Sequence, residues 1–371
     1  MKKVIVLAGT RKGLWILSSD PRRRKWTQSE PAFFGQIAWH AVLDPRDPKT
    51  ILVASSTGHL GPTVFRSADQ GRTWKEATTP PAFAKEVGDT VKQVFWLTPG
   101  HETEPGVWYA GTSPHGLFRT EDGGATWEGV KGFNENPMRA KWKGIPEQQP
   151  PDAPSSHSIL VDPRDAKHLY AGFSPGGCLE STDGGASWAP LNKGVESPYA
   201  KDPLADFSGY DPHRMQIHPR NPDRLYMQSH FGIYRMDRPS DTWVRIGKNM
   251  PKAIGDIGFP IVLHPENPNV AWVIPMDGTE VWPRTSVGGK PAVFVTKNGG
   301  KSWQKQAKGF PAAQAWWTVK RHCFSHDGLR PLGLYFGTMN GQVWASRTEG
   351  GRWETIADHL PAVVSVEAAS V

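Results

Sequence analysis

Cysteine is nearly absent: Cys178 and Cys323 are the only two in 371 residues. Two thiols cannot build a disulfide framework, so a reducing compartment, and hence a cytoplasmic location, is expected. Long apolar runs are missing too. No stretch approaches the ~20 residues of a membrane-spanning helix. The run from Val4 to Gly9 behind Lys2 and Lys3 is too short for a signal peptide, and charge returns at Arg11 and Lys12. A soluble protein without membrane contact is therefore expected. Charge of one sign is never concentrated either. The net charge is +7 with 21% charged residues, and the densest cluster, Arg22 to Lys25, reads as a solvated turn. Such a balance favours acidic ligands without calling for a nucleic-acid partner.

Uninterrupted helix-forming stretches are also lacking. There are 39 glycines and 34 prolines, together about one residue in five. In a helix interior each costs roughly 1 and 3 kcal/mol respectively. Against a hydrophobic content of only 37% stand 17 tryptophans and 15 phenylalanines. Many short strands, tight turns and large aromatic wedges fit that combination; disorder does not.

One phrase recurs. Ser67-Ala68-Asp69-Gln70-Gly71-Arg72-Thr73-Trp74 returns as Thr120 to Trp127, as Ser181 to Trp188 and, with Asn298 for the aspartate, as Thr296 to Trp303. Degenerate copies end at Trp26, Trp243 and Trp353. The seven tryptophans lie 48, 53, 61, 55, 60 and 50 residues apart. A second phrase precedes the first: a strand, a turn beginning Asp44-Pro45, Asp162-Pro163, His218-Pro219 or His264-Pro265, then another strand. Four antiparallel strands per unit make a propeller blade, so the chain is expected to be all-β, a single seven-bladed propeller over residues 1–371. The first unit lacks its innermost strand, and the tail after Trp353 alternates like one. That tail is expected to close the ring in the first blade. The box aspartates are expected to be structural, accepting N–H bonds within their own turns, with His218 and His264 standing in for turn aspartates.

These boxes resemble the Asp-box repeat, also called the bacterial neuraminidase repeat. It is found in sialidases, some xyloglucan-active hydrolases, sortilin-type receptors and the photosystem II assembly factor family. The resemblance covers essentially the whole chain and implies the seven-bladed fold. Sialidases carry an early Phe/Tyr-Arg-Ile-Pro motif where this chain has Gly9-Thr10-Arg11-Lys12-Gly13. No sialidase residue is carried over, and the superfamily spans hydrolases, receptors and scaffolds alike.

In a propeller, loops entering the inner strands share a face with those joining second and third strands. Aligning the units on their turns puts Arg11, His40, His59, His115, His157, His213, Arg214 and His230 on that rim. A small polar or anionic, carbohydrate-like ligand is expected there, with glycoside hydrolysis as its chemistry. Asp256 and Glu280 are the candidate catalytic carboxylates, with Asp206 and Asp277 as further rim acids. Two other readings stand beside this one. His40, His59, His157 and His213 could hold a divalent metal in a metal-dependent enzyme. The propeller could instead be a non-catalytic scaffold for a protein partner. Long connections at Lys131–Ser156, Asn192–Pro212 and Asp277–Pro291 carry aromatic and basic residues suited to binding loops.

Overall fold

The computed structural model describes residues 3–57, 61–142, 155–200, 202, 209–278 and 284–371. Seven four-stranded antiparallel sheets follow one another along the chain. Their inner strands are Val363–Ser370, His40–Leu43, Gln93–Pro99, Ser155–Asp162, Pro212–His218, Gly258–Leu263 and Phe324–His326, for blades one to seven in turn. The expected closure is present. Val363–Ser370 pairs antiparallel with Val4–Thr10, so the last strand of the chain is the innermost strand of the first blade. Lys3 and Val371 also exchange backbone hydrogen bonds in both directions, each at 2.8 Å.

The second strand of each blade is covered on both faces. Val4–Thr10 and Trp108–Ser113 are buried at every position. That is why Val4 to Ala8 reads as a continuous apolar run rather than an alternating one. The core is accordingly not a single mass but a series of wedges between neighbouring blades. One wedge joins Leu52 and Val64 of the second blade to Leu97, Trp108 and Trp127 of the third. Another joins Tyr170 and Leu191 to Met215, Leu225 and Trp243.

The recurrent turn locks each blade onto the one before it. Asp69 accepts N–H bonds from Arg72 and Thr73 at 3.0 and 2.9 Å and hydroxyl bonds from Ser67 and Thr73 at 2.8 and 2.6 Å. The Thr73 hydroxyl, then the other donors, hold its pKa at about 2. Asn298 keeps the pattern without charge, accepting from Ser302 N–H at 2.9 Å. The second box glycine meets two demands at once. Gly71, Gly124, Gly185 and Gly300 have φ of 86°, 91°, 93° and 90°. A Cβ on Gly124 would also lie 2.9 Å from Leu52 of the preceding blade. Only glycine satisfies both the left-handed backbone and the close approach. His218 and His264 replace turn aspartates as expected. Their Nδ1 atoms accept the N–H groups two and three residues on, at 3.0 to 3.2 Å.

Arg23 corrects the solvated-turn expectation. It is buried, and its Nη1 donates to Asp327 Oδ2 at 3.0 Å and to the Pro331 carbonyl at 2.9 Å. It therefore clasps the first blade to the seventh. The Lys131–Ser156 connection differs from expectation as well. It forms short helices at Lys131–Asn134 and Arg139–Trp142, and Trp142 is buried 5.1 Å from Phe133 and 4.9 Å from Phe173. That aromatic fills a wedge and is not offered to a ligand.

Candidate functional site

The inner strands bring two connected polar groups to the middle of the ring. The first plugs the channel. His40 Nδ1 accepts the Leu97 N–H at 3.0 Å, which fixes the hydrogen on Nε2, and Nε2 donates to Glu367 Oε1 at 3.2 Å. Glu367 also faces Arg214 Nη2 at 3.6 Å. Arg214 is buried, donates to the Arg321 carbonyl at 2.9 Å and lies 5.4 Å above the Trp96 ring. His322 packs between His40, Phe95 and Trp96, with ring centroids 4.6 to 4.9 Å apart. Burial pushes the His40 pKa down against the pull of Glu367. His322 is driven well below the ordinary histidine value by burial and then by the charges around it. These rings are neutral packing elements at neutral pH.

The second group lies where blades four, five and six meet. Ser158 Oγ accepts the Met215 N–H at 2.9 Å and is hydrogen-bonded to His157 Nδ1 at 2.9 Å. His157 Nε2 then faces Ser174 Oγ at 3.4 Å, and Ser174 in turn bonds Asp211 Oδ1. Asp211 Oδ2 stands 3.4 Å from His213 Nε2 and 3.4 Å from His230 Nδ1. The far nitrogen of each histidine is committed. His213 Nδ1 donates to the Gly258 carbonyl at 2.6 Å, and His230 Nε2 accepts from Arg284 Nη2 at 3.1 Å. Partial burial works to raise the Asp211 carboxyl, but the two imidazoles hold it well below the usual carboxylate range. Burial lowers His213.

A cavity of about 410 Å³ opens beside His230. Its wall includes Glu196, Phe231, Arg245, Asp256 and Met276. Asp256 is held by both oxygens, 2.9 Å from Arg245 Nε and 2.8 Å from Arg245 Nη2. Tyr199 is 74% exposed, and its ring lies 6.1 Å from Phe231.

Most of the histidines placed on the rim by sequence lie in these groups. His213 and His230 come together, with His157 joined to them through Ser174. His40 and Arg214 belong to the channel plug. His115 is buried, bonded to the Pro175 carbonyl at 3.1 Å, and its ring lies 5.2 Å from Phe173. Arg11 is exposed, and its N–H bonds the Ala362 carbonyl at 3.0 Å. As metal candidates, His40 and His157 have both ring nitrogens engaged by protein groups. His59, Glu280 and Asp206 lie outside the described residues. Asp277 accepts the Thr285 hydroxyl at 3.0 Å. Asp211, Glu367 and His322 carry the arrangement but were not among the residues singled out by sequence. Asp211 immediately precedes the counted inner strand. His322 and Glu367 sit in the seventh and closing units, where the turn phrase is too degenerate to align.

No family model matches the chain. It is 24% identical over 295 residues to the oligoxyloglucan-reducing end-specific xyloglucanase of Emericella nidulans, covering 71% of this chain and 33% of that protein. A counterpart in Neosartorya fischeri is 22% identical over 309 residues, covering 74% of this chain and 35% of its own. The chain thus spans about a third of the length of these curated relatives. Among solved structures, the GH74 xyloglucanase from Xanthomonas campestris superposes with a TM-score of 0.60 at 18% identity, over 98% of this chain and 53% of its own. A 6-phosphogluconolactonase-like protein from Bacteroides uniformis gives 0.55 at 12% identity, over 99% of both chains. YCF48 from Cyanidioschyzon merolae gives 0.52 at 14%, over 92% of both. The chain is a seven-bladed β-propeller with weak sequence similarity to xyloglucanases.

Proposed function

We propose that this propeller binds a small hydroxyl-rich, carbohydrate-like ligand at the channel mouth and acts on it as a glycoside hydrolase. The observation that carries this reading is the 410 Å³ cavity beside His230, which sets aromatic surface against fixed polar groups. Phe231 with the exposed Tyr199 offers flat apolar area to a sugar ring, and Arg245 and Glu196 offer donors and acceptors to its hydroxyls. The similarity to xyloglucanases supports the ligand class, and the Asp-box resemblance is consistent with it. With both oxygens already accepting from Arg245, Asp256 suits an accepting role, steadying positive charge that develops on the sugar. Glycoside hydrolysis needs a second carboxyl group to donate the proton, and Glu280 is the residue proposed for it.

Titration calorimetry with xyloglucan oligosaccharides, followed by reducing-end release, tests the reading. Saturable binding is expected, weakened at least tenfold in Tyr199→Ala and Phe231→Ala. Turnover is expected to fall at least a hundredfold in Asp256→Asn and Glu280→Gln with the melting transition intact. Absence of binding across the oligosaccharide panel, or unchanged turnover in both carboxylate variants, overturns it.

A further inference from the structure

Asp211, His213 and His230 share a geometry that their hydrogen bonds alone leave incomplete. The Gly258 carbonyl can only accept, so His213 carries a hydrogen on Nδ1, and in its neutral form it turns the Nε2 lone pair towards Asp211. Two acceptors therefore face each other across 3.4 Å, His213 Nε2 and Asp211 Oδ2. That relationship is unfavourable unless a proton or a metal ion lies between them. A ring N–H donated to a backbone carbonyl is also the usual orienting contact behind a metal-bound imidazole. The third side chain, His230, presents Nδ1 to the same carboxylate oxygen at 3.4 Å.

The spacing discriminates further. Nitrogen and oxygen ligands lie about 2.0–2.2 Å from a tetrahedral zinc ion, which puts neighbouring ligand atoms roughly 3.3–3.5 Å apart. Both separations from Asp211 fall in that range; the three ligand atoms lie within 4.8 Å of one another, so the widest pair has to close on the ion as it binds. His213 lies at the start of the inner strand Pro212–His218, and Asp211 immediately precedes that strand. His230 comes from the loop joining the second and third strands of the same blade. The blade's own strand pairing therefore fixes the three relative to each other, Pro212 being paired with Ser229.

We propose that Asp211, His213 and His230 form a three-ligand site for a zinc-like divalent cation, with the fourth position open beside the cavity that His230 lines. The site is independent of whether that cavity takes a sugar. For His230 to ligate through Nδ1, its hydrogen must move to Nε2, which now accepts from Arg284. Arg284 Nη2 then has to turn from the ring, while Nη1 keeps its bond to the Asp277 carbonyl at 2.9 Å. Metal and guanidinium thus compete for one imidazole.

The test uses the full chain freed of metal by a chelator and titrated with Zn(II), then Co(II), without any sugar. One equivalent is expected to bind with a Kd of about 10 μM or tighter, and Co(II) to give the intense visible bands of a four-coordinate site. Asp211→Asn and His213→Gln should each weaken binding at least tenfold. Zn(II) should raise the melting temperature of the native protein but not that of His230→Gln, whose partly exposed ring can be exchanged with the fold retained. Binding weaker than 1 mM in the native protein overturns the proposal, leaving a proton between Asp211 and His213. Binding that all three variants leave unchanged overturns it too, by placing the ion elsewhere.

Discussion

Replacing Glu367 by alanine removes the acceptor shared by His40 and Arg214 at the middle of the ring. Arg214 is 7% exposed at its side chain, and its Nε has no hydrogen-bond partner among the described residues. Without Glu367 its remaining contacts are the Arg321 carbonyl and the face of Trp96. Leaving a buried charge unpaired costs about 3–5 kcal/mol. Glu367 is 23% exposed, so water offsets part of that, and the lower end applies. At an unfolding entropy of about 2.1 cal/mol/K per residue, a chain of this length loses about 4 °C of melting temperature for 3 kcal/mol. The companion double variant Arg214→Met with Glu367→Ala removes the stranded charge and should recover at least half of the loss, since apolar replacement of a buried pair is often neutral. Scanning calorimetry on the two single variants and the double variant measures both quantities. A Glu367→Ala melt within 1 °C of the native protein, or a double variant whose loss is the sum of the singles, refutes the account of Glu367 as the charge partner that holds the plug.

Gly123→Ala and Gly124→Ala separate two demands within one turn. Both glycines have positive φ, 71° and 91°, but only Gly124 lies against the neighbouring blade. Urea unfolding should show about 1 kcal/mol lost at Gly123 and about 2–3 at Gly124, where overpacking is added to the backbone cost; equal losses would deny the contact with Leu52. Acid unfolding tests the box carboxylates. Asp69 and Asp183 have folded pKa values of about 2, below the unfolded value near 3.9, because threonine or serine hydroxyls and turn N–H groups bond the charged form. Their contribution is therefore complete above pH 4 and is lost as the pH falls towards 2. Asp183→Asn, imitating the natural Asn298 turn, should flatten that part of the stability profile; an unchanged profile would show that the turn does not couple to the carboxylate.

What the sequence made legible was what repeats. The tryptophan spacing and the Asp-Gly phrase recur because every blade solves the same packing problem against its predecessor, so blade number, closure and the turn roles of His218 and His264 could all be read. The site does not repeat, and its partners are set by closure in three dimensions. Arg23 meets Asp327 across 304 positions. No local pattern announces such a pair, and four adjacent basic residues look solvated until one of them is placed at the seam between first and last blades. Asp211 was hidden for a different reason. It stands before a proline at the start of a strand, where an aspartate ordinarily belongs to a turn, and only the arrival of His230 from the next loop distinguishes it. Asp256 was legible as a rim acid, but not its bidentate hold on Arg245, which depends on how the fifth blade's short outer strand lies beside the following loop.

The pairing of the final strand with the first has a consequence for synthesis. As the nascent chain leaves the ribosome, strand Val4–Thr10 is made more than three hundred and fifty residues before its inner neighbour, Val363–Ser370. Until Val363–Ser370 emerges, the hairpin of Val4–Thr10 and Gly13–Ser19 displays an unpaired apolar edge, and Arg23 waits for Asp327 to grip. Six blades can stack in order of emergence, but the circle shuts only when strand Val363–Ser370 arrives, so a chain cut short of that strand is left with an adhesive rim rather than a slightly shorter propeller.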